Sequence, residues 1–308
     1  MNTPSRPRAT KIICTIGPAT DTSDMLGQLI EAGANVFRLN MSHSKHDWVR
    51  EVVFRIRRKA AELKANVAIL FDLQGPSIRT GDLLEPYHLK KGDTVEIRLG
   101  TAKPELPFST TVNYDGLLQD VQAGHTMVVD NGGILMRIAE VRPDRLICDV
   151  LTEGVFGSRR HINLPGVALR LPALTEKDLA DLAVAVECET DYVAMSFVRD
   201  AAHIAQLREH IDNLGGKAQI VAKIEDQQAV RHIDDIILAA DVIMVARGDL
   251  GIEVSIEELP IIQRRIVRHC HRLGRRCIVA THMLESMITQ PLSLIHISEP
   301  TRLRCISY

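Results

Sequence analysis

Two short segments carry residues whose types and spacing suit phosphate and metal chemistry: IVAKIED at 220–226 and IMVARGDLGIE at 243–253. Each is an apolar, β-branched run that stops abruptly at charged residues, the pattern of a buried parallel strand where it delivers side chains to its end. The first closes on Lys223 and Glu225, the second on Arg247, Gly248 and Asp249. Two carboxylates, an ammonium and glycine-flanked backbone at neighbouring strand ends suit a divalent cation beside a phosphate or carboxylate. Charged residues after a strand are also common as solvated loop ends, so the elements around them must decide.

Those elements alternate. Strand-like runs fall at 11–17, 35–40, 67–73, 192–197, 219–225, 242–250 and 277–283. Helical patterns fit between most of them, at about 22–32, 45–64, from Thr175 onward, 200–213, 226–239 and 255–273. In the second helix Val49, Val52, Val53, Ile56, Ala60 and Leu63 share a face. In the third, Thr175 and Asp178 read as a capping box above an apolar face of Leu179, Leu182, Ala183 and Val186. Strand–helix alternation implies parallel strands with helical crossovers. It breaks between residue 76 and about 170, where short β-like stretches are separated by Gly, Asp, Asn and Pro. Gly75-Pro76 and Pro165-Gly166 mark the crossings.

The expected fold class is α/β: a (β/α)8 TIM-type barrel, incomplete at about seven strands, with an inserted small all-β domain. Residues 1–75 and 171–291 form the barrel and 76–170 the insertion. An open doubly wound sheet is the alternative, but no G-x-G-x-x-G turn follows the first strand, and nearly every strand ends in functional groups, as at a barrel mouth.

Composition narrows the chemistry. The 308 residues are 45% hydrophobic and only 4% aromatic, so the core is aliphatic; the net charge is −2. Mixed signs throughout give no electrostatic case for nucleic acid or an anionic membrane. The N-terminus lacks a signal-peptide apolar region, and no stretch is long enough for a membrane span, which reads as cytoplasmic. Six cysteines are scattered without close pairing, as expected of reduced thiols. Cys270, Cys277, His269, His271 and His282 fit no common zinc spacing. The Arg264, Arg265, Arg268, Arg272, Arg275, Arg276 series reads as a solvated helix face.

If the strand ends share one mouth, they bring together Arg38, Asn40, Ser42 and His43 from the second, Asp72 and then Arg79 from the third, and Ser196 and Phe197 from the fourth. Lys223 and Glu225 follow from the fifth, Arg247, Gly248 and Asp249 from the sixth, and Thr281 and His282 from the seventh. Glu225 and Asp249 can ligate magnesium and leave positions open for substrate oxygens. Arg38, Arg79 and Lys223 would surround a multiply charged anion. Such a site suits phosphoryl transfer, in which positioning and charge neutralisation supply most of the catalysis.

With these residues in place, the chain resembles the pyruvate kinases. The motifs TKIICTIGPAT, RLNMSHS, FDLQGPSIRTG, GSRRHINLPG, VAKIED, IMVARGDLGIE and ATHMLESMITQP occur in order along roughly residues 10–291. The resemblance implies phosphoryl transfer from phosphoenolpyruvate to ADP, giving pyruvate and ATP. Lys223 would neutralise the phosphoryl group in flight, and Arg38 and Arg79 would bind phosphate. Glu225 and Asp249 would hold magnesium (or manganese). The backbone of Ala246, Arg247 and Gly248 would receive the substrate carboxylate, with Ser196 and Phe197 beside it. Thr281 would lie near the enolate face that is protonated. Asn40, Ser42 and Asp72 match residues that cradle potassium, while His43, Asn40 and Arg160 match nucleotide contacts. The inserted β domain would be a lid, and complete members would be homotetramers.

Several positions depart from the family pattern. Gln74 stands where many members have lysine, and Ser77 where glutamate or lysine is usual, which leaves potassium dependence open. His161 replaces a usual glycine and His282 a usual glutamine. From Leu292 the chain runs LSLIHISEPTRLRCISY, which resembles translated adaptor sequence; 292–308 therefore reads as a non-native tail. A barrel without its eighth strand would be expected to be inactive. Competing readings are a magnesium-dependent lyase or aldolase of the phosphoenolpyruvate/pyruvate barrels, and a non-catalytic fragment that keeps the motifs by descent.

Overall fold

The computed structural model describes residues 9–280 apart from Asn131 and Ile256. Thr281, His282 and the tail from Leu292 lie outside the described residues. Seven parallel strands form one sheet in chain order: β1 (Ile13–Ile16), β2 (Val36–Asn40), β3 (Ala68–Asp72), β4 (Tyr192–Met195), β5 (Gln219–Ile224), β6 (Val242–Ala246) and β7 (Arg276–Ala280). Every neighbouring pair is parallel, so all seven C-terminal ends emerge on one side.

The period of two along each strand sorts its side chains between two cores. Phe37, Leu39, Ile69, Phe71, Val193, Met195, Ile220, Ala222, Ile243 and Val245 face the helical layer. Leu70, Ala194, Val221, Val242 and Met244 form a separate cluster on the inner face of the curled sheet, joined by Ile13, Val36, Ile278 and Ala280. Continuing the inner parity to the strand ends gives Arg38 and Asn40, Asp72, Ser196, and Lys223 and Glu225. The same alternation that fills the barrel therefore aims the polar groups at its mouth.

Helices α1 (Ser23–Glu31), α2 (His46–Glu62), α3 (Glu176–Glu187), α4 (Ala201–Asn213), α5 (Gln227–Arg231), α6 (Ile233–Ala239), α7 (Arg247–Glu253) and α8 (Leu259–Arg272) cover the outer face. Caps start several of them close to a strand end: Thr22 accepts from Met25 N, Asp200 from His203 N, and Asp226 from Ala229 N at 2.7 Å. Three sequence expectations are corrected. The run 242–250 is not all strand, because β6 ends at Ala246 and the chain turns directly into α7. The helix expected over 226–239 breaks at His232, and the one expected from 255 begins at Leu259.

The face of α3 also differs. Leu179 is 37% exposed and Ala183 is exposed, whereas Asp178 and Asp181 are fully buried. Both carboxylates are satisfied, which is what permits their burial. Asp178 Oδ2 accepts from Thr175 N at 2.9 Å and Thr175 Oγ1 at 2.7 Å, completing the capping box; its Oδ1 accepts from Gly75 N at 3.0 Å. Asp181 accepts from Lys177 Nζ at 2.6 Å and lies 2.7 Å from His46 Nε2. Lys177 Nζ also donates to Met41 O at 2.8 Å, anchoring the loop after β2.

Between β3 and α3 the chain builds a second sheet of seven strands from residues 78–163, mostly antiparallel, with a two-stranded ribbon beside it. Its long strands, Thr94–Arg98, Thr126–Val129, Ile134–Val141 and Arg145–Val150, coincide with the β-like stretches expected from sequence. Its core, including Ile78, Val95, Ile97, Met127, Ile138, Leu146 and Phe156, is separate from the two barrel clusters. The returning segment is held by buried Arg199, whose guanidinium donates to the carbonyls of Leu169 (2.7 Å) and Leu171.

Asp178 serves the cap of α3 and the crossing at Gly75 together. Asp178→Ala is expected to cost about 3 kcal/mol in urea unfolding, against no more than about 0.5 kcal/mol for exposed Glu176→Ala in the same turn. Equal losses would remove Asp178 as the anchor of the crossing.

Candidate active site at the barrel mouth

Lys223 is the centre of the mouth. Its Nζ donates to Ser196 Oγ at 2.6 Å and pairs with Glu225 Oε1 at 2.8 Å and Asp72 Oδ1 at 3.3 Å. Burial works against the ammonium charge, but Glu225 and Asp72 more than offset it, and the Lys223 pKa is raised. Glu225 is pushed the other way for a carboxylate: burial raises its pKa, Asp249 adds to the rise, and the attraction of Lys223 opposes without cancelling it. Asp72 is held a second time by Arg38, whose Nε donates at 2.7 Å and whose Nη2 lies 2.6 Å from the same oxygen. Arg38 Nη1 continues to Thr15 Oγ1 at 3.0 Å.

Backbone geometry locks this cluster. Phe197 N donates to Glu225 Oε2 at 2.6 Å, from a residue with φ of 53°, an unusual conformation for an aromatic. Ser196 Oγ donates in turn to Leu73 O at 2.8 Å. Gly75 follows with φ of 71°, and a Cβ there would stand 2.8 Å from Ser196 Cβ. Only glycine fits at this crossing.

A cavity of about 490 Å³ opens between this cluster and the β-rich sheet. Barrel residues Arg38, Asn40, Ser42, His43, Asp72 and Ser196 line it, with Phe197, Lys223, Glu225 and Asp249. Arg79 and Arg160 line it from the other side. Arg79 donates through Nη1 to Arg159 O at 3.1 Å and through Nε to Ser77 Oγ at 3.3 Å; Arg160 Nη1 reaches Asp130 at 3.2 Å. The structure thus brings together most of the residues singled out from sequence. Ala246, Arg247 and Gly248 are not among the cavity's lining residues; Arg247 Nε donates instead to Ala280 O at 2.8 Å. Thr281 lies outside the described residues.

Sequence reasoning missed Asp130, Ser158 and Arg159, which reach the cavity from the β-rich sheet. It also missed buried Asp181, and it read Asp178 as a cap without its second bond to Gly75 N; two acidic residues three apart beside a helix's apolar positions were the available signal. His161 has a definite place: its ring packs against Phe197 at 5.9 Å between centroids, and burial lowers its pKa. The β-rich sheet and the barrel mouth therefore touch across a ring pair.

The donor set fits a divalent cation. Glu225 Oε1 is buried, with Lys223 as its ion-pair neighbour but no hydrogen-bond donor in line, and Asp249 lines the same cavity. Among the described residues no three His, Cys, Asp or Glu side chains converge to cage a metal. Two carboxylates with the remaining positions left to water and phosphate oxygens is the usual arrangement for magnesium.

Comparison with known proteins gives the family. Residues 7–298 match the model described as pyruvate kinase, barrel domain. The chain belongs to the pyruvate kinase family. It is 41% identical over 291 residues to plastidial pyruvate kinase 2 of Arabidopsis thaliana, covering 94% of this chain and 50% of that protein. Pyruvate kinases of Clostridium perfringens and Geobacillus stearothermophilus are each 40% identical, covering 92% of this chain and 60% and 49% of theirs. The chain thus spans about half the length of most of these pyruvate kinase relatives. Some relatives have plastid names, so family membership alone assigns no compartment; no helix among the described residues is long and apolar enough to cross a membrane.

Gly75→Ala is expected to lower stability by at least about 1 kcal/mol, because the methyl group must displace Ser196. Urea unfolding checks this; a midpoint equal to that of the unsubstituted chain would show that the crossing relaxes freely.

Proposed function

We propose that this chain carries the catalytic mouth of a phosphotransferase that moves the phosphoryl group of phosphoenolpyruvate to ADP, giving pyruvate and ATP. One observation carries the reading: a buried, charged lysine held between Asp72, Glu225 and Ser196, facing a cavity edged by Arg38 and Arg79. In the reaction the bond between phosphorus and the enol oxygen breaks, a bond to a terminal oxygen of ADP forms, and the enolate takes up a proton at carbon. Lys223 offsets the charge of the phosphoryl group as it passes. It is pre-positioned by three partners and so costs little reorganisation. Arg38 and Arg79 grip phosphate oxygens from opposite sides of the cavity.

Glu225 and Asp249 would hold magnesium or manganese, which when bound neutralises negative charge on the phosphoryl oxygens. Asn40, Ser42 and Asp72 present oxygens suited to potassium, and Asn40, His43 and Arg160 lie where a nucleotide would meet both walls. Ser196 and Phe197 shape the substrate side, and the backbone of Ala246, Arg247 and Gly248 keeps its role toward the substrate carboxylate by family resemblance. Thr281 keeps its role beside the enolate by family resemblance. Residues 76–170 act as the lid, with Gly75 and the Arg199-held return segment as its two attachments.

The decisive experiment supplies phosphoenolpyruvate, ADP, magnesium and potassium to this sequence extended to the full length of its relatives, in which the variants below are also made, and follows pyruvate and ATP together. Carbon–carbon cleavage, or phosphate release without ADP, would instead favour the lyase reading. Lys223→Met is expected to lower turnover by about a hundredfold or more with the fold retained, as read by circular dichroism beside the coupled assay. Asp249→Asn is expected to shift the magnesium titration of phosphoenolpyruvate binding by about tenfold or more; an unmoved titration removes it as a ligand. Ser77 supplies no positive charge of its own, so potassium replacing tetramethylammonium at constant ionic strength is expected to raise turnover. A flat response would show that Arg38 and Lys223 suffice.

A further inference from the structure

The loop between β2 and α2 carries two residues that line the cavity, Ser42 and His43, and follows a third, Asn40. Both of its ends are tied to one ion pair on α3 that does not itself line the cavity. At its start, Lys177 Nζ donates to Met41 O at 2.8 Å. At its far end, Nε2 of His46, the first residue of α2, lies 2.7 Å from Asp181 Oδ1. Lys177 and Asp181 are joined at 2.6 Å across one helical turn. Such a pair is ordinarily a weak surface bridge. Here the Asp181 side chain is fully buried, and among the described residues its carboxylate is held by Lys177 and His46 alone.

The Lys177 bond also fixes a direction. In a trans peptide the carbonyl oxygen and the following N–H point to opposite sides. Lys177 takes the Met41 carbonyl on one side, and Asn40 Oδ1 accepts from Ser42 N at 3.2 Å on the other. Met41 itself is pinned, because its N–H donates to Asp72 O at 2.9 Å and its side chain is fully buried in the outer core. Ser44 Oγ closes the loop by donating to Asn40 O at 2.8 Å. Turning that one peptide over would break the Lys177 bond and release the Asn40 side chain. The orientation of Asn40 and Ser42 is therefore set from α3. Asp178, the residue after Lys177, holds the crossing at Gly75, so one turn of helix places both the loop and the start of the β-rich insertion.

We propose that Lys177 and Asp181 are positioning residues for the segment 40–43, setting its affinity for a monovalent cation and a nucleoside diphosphate from outside the cavity. The inference rests on the functional reading above, in which Asn40 and Ser42 face potassium and Asn40 and His43 face ADP. Neither Lys177 nor Asp181 touches either ligand. Their contribution is preorganisation: oxygens held ready for a cation need no loop rearrangement when it binds. The magnesium carboxylates are placed by other elements, Glu225 at the end of β5 by the Phe197 amide and Asp249 on α7. Among the described residues no hydrogen bond joins the loop to either of them. Loss of the α3 pair should therefore weaken potassium and ADP selectively.

The test uses the full-length sequence of the decisive experiment and measures half-saturation by potassium, ADP and magnesium in the coupled assay. Lys177→Met is expected to raise the potassium and ADP constants by about tenfold and to leave the magnesium constant within about twofold. Lys177→Arg, whose guanidinium can still donate to both acceptors, is expected to recover most of the loss. His46→Ala frees the other end of the loop without breaking the Lys177 bond, and should move the same two constants in the same direction. It carries the test if Lys177→Met does not fold. Unmoved potassium and ADP constants would overturn the inference and leave the functional reading intact. An equal rise in the magnesium constant, the mark of general loosening, would do the same. Where turnover of the unsubstituted protein ignores potassium, the ADP constant decides alone. No turnover by the unsubstituted protein would remove the functional reading, and the inference with it.

Discussion

The structure depends on one unfavourable act, the burial of an ammonium group at the end of β5. Lys223 can stay charged there only because Asp72, Glu225 and Ser196 converge on it from three other chain positions. Each of those groups is itself costly to bury and needs its own partner. Arg38 answers Asp72, the Phe197 amide answers Glu225, and the Leu73 carbonyl answers Ser196. The cluster is therefore a chain of obligations running across β2, β3, β4 and β5. Removing one member strands the next.

Those obligations explain features that would look arbitrary alone. Phe197 adopts a left-handed backbone because its amide must reach Glu225, and the strain is offset by that charge-assisted bond. Gly75 is required because Ser196, busy with Lys223 and Leu73, occupies the space a side chain would need. Asp178 is buried beside Leu182 and Ala185 of α3, where it serves as the acceptor for the chain leaving the mouth at Gly75. The mouth thus reaches outward through hydrogen bonds into the crossing to the second sheet and into α3.

The β-rich sheet stands on a core of its own. Arg199 holds the returning segment, and the His161 ring rests on Phe197.

Much of this was legible in the sequence, for a physical reason. Strand positions, inner-face parity and caps are local: the apolar run before Lys223 and Glu225, or Thr175 with Asp178, declares itself within a few residues. Motifs in order then gave the family resemblance and with it candidate roles. Tertiary structure alone decided which groups satisfy one another. Asp181 is buried because Lys177 and His46 reach it, the latter from a distant helix, and the run after Ala246 turns into helix rather than more strand. Buried polar contacts carry no periodic signature, because they depend on what arrives from elsewhere in the chain, and that is fixed only when the chain folds.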